Sequence, residues 1–67
     1  MQLTDKNFAV FEATCSLIEA GFNPCIQDIS DVVGLSWATT RYHLTRLEQA
    51  GLISRVPSKS RSIKIIQ

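Results

Sequence analysis

The stretch Ile26–Ile53, IQDISDVVGLSWATTRYHLTRLEQAGLI, constrains the fold most, because its residues punctuate two helices around a turn of three residues. A short helix is expected over about residues 26–33, turning Ile29, Val32 and Val33 toward a core. Gly34 ends it, since glycine enters the left-handed conformation of a helix C-terminus without a Cβ penalty. Leu35 follows as a buried plug, and Ser36 can cap the next helix by accepting hydrogen bonds from its free backbone N–H groups. That helix is expected over about residues 37–50 and stops at Gly51. Two helices joined this tightly form a helix-turn-helix, a unit that lays its second helix in the major groove of DNA.

Upstream, Thr4 can cap a first helix over about residues 5–20, with Asp5 at its positive end. Phe8, Phe11, Cys15 and Ile18 recur at helical spacing and suggest one apolar stripe, widened by Val10 and Leu17. Gly21 ends the helix, and Phe22-Asn23-Pro24 reads as a connector, because proline disfavours helix in the residue before it. Cys25 then occupies the N-cap of the second helix, with Asp28 in its first turn. After Gly51 the pattern becomes extended. LISRV and SIKII, separated by PSKSR, predict a β-hairpin over about residues 52–66, and a hairpin directly after a recognition helix is a wing.

The expected architecture is therefore α+β, mainly α: one domain over residues 1–67, a winged helix-turn-helix of three helices followed by a two-stranded wing. Its core should combine Phe8, Phe11, Cys15, Ile18, Ile29, Val33, Leu35, Leu44, Leu47, Ile53, Ile63 and Ile65. A chain of 67 residues lies near the lower limit for folding on a core alone. No apolar run approaches the roughly 18–20 residues that span a bilayer. The N-terminus lacks the basic-then-apolar order of a signal peptide, so a cytoplasmic protein is expected. Cys15 and Cys25 form no Cys-x-x-Cys pair and His43 has no second ligand at zinc spacing, so neither metal nor cofactor is expected.

The net charge of +1 conceals an asymmetry. Residues 1–35 hold Lys6 against Asp5, Glu12, Glu19, Asp28 and Asp31, a balance of −4. Residues 36–67 hold Arg41, Arg46, Arg55, Lys59, Arg61 and Lys64 against Glu48, a balance of +5. A basic face of this kind is the electrostatic footprint of phosphate contact.

The segment GLSWATTRYHLTRLEQAGLI resembles the winged helix-turn-helix of bacterial repressors of the ArsR and MarR families, with Leu44, Leu47, Gly51, Leu52 and Ile53 at matching positions. The wider resemblance is to the DNA-binding domains of LexA repressors. It runs through Leu3-Thr4, Gly21 and Pro24, the Val-Gly-Leu-Ser turn, His43-Leu44, Arg46-Leu47-Glu48 and the basic wing. LexA sequences differ in having one more residue between the turn glycine and the His-Leu pair, and Thr or Ser where Cys25 stands. They also continue into a self-cleaving serine-protease domain, of which these residues contain nothing. A stand-alone regulator from a phage or plasmid, or an excised N-terminal domain, is the expectation. The resemblance further implies that His43 packs near the core and that Thr40 takes a half-buried position, often aliphatic in this fold.

Helix three should expose Trp37, Ala38, Arg41, Tyr42, Thr45 and Arg46. Arg41 is the candidate for reading a base, because guanidinium matches guanine O6 and N7; a phosphate clamp is the alternative. Ser36 and Thr39 stand where helix-start N–H groups favour a phosphate. Trp37 suits either a thymine methyl or the rim of the core. In the wing, Lys59 and Arg61 are expected on phosphates or in the minor groove, with Ser58 and Ser60 donating to phosphate oxygens. Cys25 reads as an imperfect cap, with a redox sensor as the alternative.

The function expected is a sequence-specific regulator of transcription, a repressor, that binds double-stranded DNA through helix three and the wing. Tight binding by so small a module calls for a homodimer on a two-fold or repeated site. Neither a membrane nor a small-molecule effector is expected as a partner. The competing reading is a protein-interaction module using Trp37 and Tyr42, without DNA affinity. Catalysis lacks a nucleophile–base–orienter set.

Overall fold

A computed structural model describes residues 4–56, 58–59 and 61–66. Three helices, α1 (Asp5–Glu19), α2 (Ile26–Val33) and α3 (Trp37–Gln49), precede two short strands, β1 (Ile53–Ser54) and β2 (Lys64–Ile65). The strands pair antiparallel, with Ile53 opposite Ile65 and Ser54 opposite Lys64. This is the winged α+β arrangement expected from the sequence.

Local chemistry sets the helix limits. Thr4 caps α1: its Oγ1 accepts from the Asn7 N–H at 3.3 Å, while Asn7 Oδ1 accepts from the Thr4 N–H at 2.8 Å. The two residues thereby satisfy each other's backbone donors, as in a capping box. Gly34 ends α2 in the left-handed region, with φ +73, and donates to Ser30 O at 2.9 Å. Ser36 then starts α3 by accepting from the Thr39 N–H at 3.2 Å.

The core is formed by Val10 and Ala13 of α1, Ile29 of α2, Leu44 and Leu47 of α3, and Ile53 and Ile63 of the wing. Phe11, Leu17, Val33, Leu35 and Ile65 pack partly buried against it. Two expectations are corrected. Phe8 is 46% exposed, and α1 instead buries Asn7, Val10, Ala13 and Thr14. Cys15 and Ile18, also expected in the core, are only half-buried and lie outside it, while Phe11 still packs against it. The inward face of α1 is thus turned from the bulky stripe toward the smaller Asn7, Val10, Ala13 and Thr14. Burying Thr14 is tolerated because its Oγ1 donates to Val10 O at 2.8 Å. Val32 is also outside, 59% exposed, and only Ile29 and Val33 of the expected trio face inward.

The buried polar residues are of two kinds. Thr40 is fully buried, and its Oγ1 has no hydrogen-bond partner. A buried hydroxyl left unsatisfied costs about 1–3 kcal/mol, and valine has nearly the same shape. Thr40→Val should therefore stabilise the domain by about 1 kcal/mol, raising Tm by about 4–8 °C at this chain length. A lower Tm in thermal unfolding would show that the hydroxyl has a partner.

Asn7 and His43, by contrast, satisfy each other. Asn7 Oδ1 is occupied by Thr4, so its Nδ2 amide donates to His43 Nδ1 at 2.7 Å. The imidazole must accept there, and its proton resides on Nε2. The cap of α1 is in this way tied to the middle of α3.

Burial, with a smaller contribution from Lys6, lowers the His43 pKa below its ordinary 6.5. The unfolded chain consequently takes up the proton first. The stability from neutral His43 is complete above the unfolded value and falls as pH drops below 6.5 toward the folded value. Urea midpoints measured between pH 7.5 and 5.5 should decline for the native chain and stay nearly flat for His43→Gln. Equal declines would assign the effect to other groups.

Candidate nucleic-acid interface

The N-terminal half of α3 buries Thr40 and exposes the residues around it. Ser36, Ala38, Thr39 and Arg41 are exposed, and Trp37 and Tyr42 are 49% and 58% exposed. Thr45 and Arg46 are half-buried. The Arg46 guanidinium lies 5.9 Å from the centre of the Tyr42 ring, within reach of a cation–π contact, and its Nε is buried without a partner. Arg46 thus packs its stem against the protein while Arg41 stands clear of it.

A cleft between α3 and the wing continues this surface. Its walls include Trp37 and Arg41 on the helix side and Val56, Ser58 and Lys59 on the wing side. Arg55 and Glu48 line it as well. Arg55 donates through Nε and Nη2 to Glu48 Oε1 at 3.3 and 3.1 Å, and through Nη2 to Thr45 Oγ1 at 3.1 Å. Thr45 Oγ1 in turn donates to Arg41 O at 2.9 Å. A continuous network therefore joins the first residues of the wing to α3, and it neutralises the acidic Glu48 inside an otherwise basic cleft.

The tip of the wing is organised by Ser62. Its Oγ accepts from the Val56 N–H at 2.8 Å and lies 3.1 Å from Val56 O and 2.9 Å from Lys59 O. Lys59 and Ser58 are exposed beyond this knot, and Ser60 lies outside the described residues. Arg61 faces elsewhere: its Nη1 donates to Asp28 Oδ2 at 2.7 Å and to Asn23 O at 2.8 Å.

Among the described residues no cluster of His, Cys, Asp and Glu could hold a metal ion, and no helix is long and apolar enough to cross a membrane. Burial, helped by Glu19 and Glu12, raises the Cys15 thiol above its ordinary pKa and keeps it protonated. The Cys25 backbone N–H donates to Asp28 Oδ2 at 3.1 Å, so the Asp28 carboxylate serves the start of α2.

A family model described as the LexA DNA-binding domain matches residues 1–62. The chain belongs to the LexA DNA-binding domain family. Its relatives include the LexA repressor of Caldicellulosiruptor saccharolyticus, 43% identical over 97% of this chain and 33% of that protein. The LexA repressor of Listeria welshimeri is 37% identical over 98% of the chain and 33% of its own length. That of Staphylococcus epidermidis is 33% identical over 97% and 32%. The chain spans about a third of the length of the curated relatives it matches.

The structure gives roles to four residues that the sequence does not mark as site or core residues: Asn7, Glu48, Arg55 and Ser62. Asn7 had a local signal, since it stands three residues after a capping threonine and can return its hydrogen bond. Arg55 carried none, because a cation in a short strand looks the same whether it is paired or solvated.

Proposed function

We propose that this domain is a repressor module that binds double-stranded DNA, with α3 in the major groove and the wing on the adjacent backbone. Membership of the LexA DNA-binding family supports the reading, and the observation that carries it is the outward N-terminal half of α3 beside a cleft edged by Arg41 and Lys59. Arg41 is assigned to a base edge, and Trp37, Ala38, Tyr42 and Thr45 to the groove walls. Ser36 and Thr39 stand at the positive end of α3, where a phosphate oxygen meets free N–H groups. Ser58 and Lys59 are assigned to phosphates of the same face, Ser60 keeps its sequence-based assignment to a phosphate oxygen, and Arg46 supports Tyr42. One module of this size buries limited surface on DNA, so two copies acting on a two-fold or repeated site, in the bacterial cytoplasm, are part of the proposal.

Trp37 is the only tryptophan and sits on the proposed interface, which makes it a reporter. Mixed-sequence duplex DNA, titrated at low salt, should change Trp37 fluorescence and raise the anisotropy of labelled DNA together. Both signals should weaken steeply as salt is added, because cations on the protein release counterions from DNA. Anisotropy without a fluorescence response would move the interface away from α3. Silence in both would favour a protein-interaction role for the exposed Trp37 and Tyr42.

A further inference from the structure

The two cations at the tip of the wing look equivalent in sequence, yet they occupy opposite sides of it. Lys59 lines the cleft beside α3 with Trp37 and Arg41. Arg61 instead lines a separate cleft with Leu17, Phe22, Asp28 and Asp31. Two carboxylates flank it there, an environment that repels a phosphate. One nitrogen, Nη1, donates both to Asp28 Oδ2 and to the carbonyl of Asn23, residues 33 and 38 positions earlier in the chain. The same Asp28 oxygen accepts the N–H of Cys25, which caps α2. The Cys25 N–H, and after it Arg61, hold the Asp28 carboxyl below its ordinary pKa, so it is an anion throughout the neutral range.

The wing needs such a tether. Its two strands are only two residues long each, and isolated hairpins of that length are not stable. Arg55 fastens the base of the wing to α3, and Ile63 buries its returning strand, but the segment between them is tied to the body by Arg61.

We propose that Arg61 is a positioning residue for DNA binding: by clipping the wing to Asp28 and Asn23 at the start of α2, it holds Lys59 at the mouth of the cleft and does not itself contact phosphate. This rests on the DNA-binding reading above.

The test compares salt titrations of duplex-DNA binding, followed by anisotropy, for the native chain, Lys59→Ala, Arg61→Ala, Asp28→Asn and the double variant Arg61→Ala/Asp28→Asn. Lys59→Ala should reduce the slope of log K against log salt by about 0.9, the loss of one phosphate contact. Arg61→Ala should leave that slope unchanged and weaken binding by about three- to tenfold, the cost of ordering a loosened wing. Asp28→Asn should weaken binding similarly, and the double variant no further. Simple charge bookkeeping predicts the opposite for Asp28→Asn, because removing an anion tightens binding to DNA. A reduced slope for Arg61→Ala, or tighter binding for Asp28→Asn, would overturn the assignment.

Amide hydrogen exchange supplies a readout that needs no DNA. The Val56 and Lys59 amides, bonded to Ser62 Oγ and Val56 O, should exchange faster in Arg61→Ala and in Asp28→Asn. Unchanged exchange would remove the clip even if DNA binding stands. Normal exchange effects with no DNA affinity in the native chain would instead retain the clip's structural part and reject its role in DNA binding along with the function it serves.

Discussion

Leu47→Ala should destabilise the domain by about 2–5 kcal/mol, enough to leave much of the population unfolded at 37 °C. Leu47 is fully buried among the residues by which α1, α2, α3 and the wing meet. Truncation removes its transfer free energy and leaves a cavity that three rigid helices cannot close. A core this small supplies only about 3–5 kcal/mol in total, so there is little reserve. Urea unfolding followed by circular dichroism measures the loss. Phe8→Ala is the informative companion: a residue 46% exposed should cost less than about 1 kcal/mol despite its greater bulk. Equal losses for the two variants would mean that α1 presents its bulky stripe to the core after all.

Arg41→Ala should abolish preference at one base position of the preferred site, a loss of about 1–3 kcal/mol in discrimination, while non-specific affinity falls much less. The argument is geometric. Arg41 lies one turn into α3, exposed, on the wall of the cleft, and no ion pair among the described residues engages it. A guanidinium so placed can present two parallel donors to guanine, whereas lysine offers a point charge. Arg41→Lys should therefore keep the salt dependence of binding and still lose the base preference. Binding to a panel of single-base variants of a site selected from a random pool decides the matter. Affinity that drops equally for every sequence would make Arg41 a phosphate contact.

Both predictions depend on information of different kinds. The limits of the helices are local. Thr4 and Ser36 accept from backbone N–H groups three residues on, and Gly34 takes a positive φ that a side chain would resist. Such interactions lie within a single turn, so the sequence alone determined them, and with them the order of helices and strands and the exposure of α3 around Arg41. The resemblance to LexA domains rested on the same punctuation. The inward face of α1 was not determined in this way. Its apolar residues cover more than one side of the helix, so its rotation was decided by what it meets: the small Ala13 and Thr14 allow close approach, and Asn7 finds His43 on α3. The fates of the basic residues were likewise settled only by the tertiary structure. Arg55 found Glu48 across a separation of 7 residues and Arg61 found Asp28 across 33, while Lys59 was left on the cleft. Hydrogen bonds along a helix are written in neighbouring residues. Which charge pairs with which depends on distances that exist only after the chain has closed on itself.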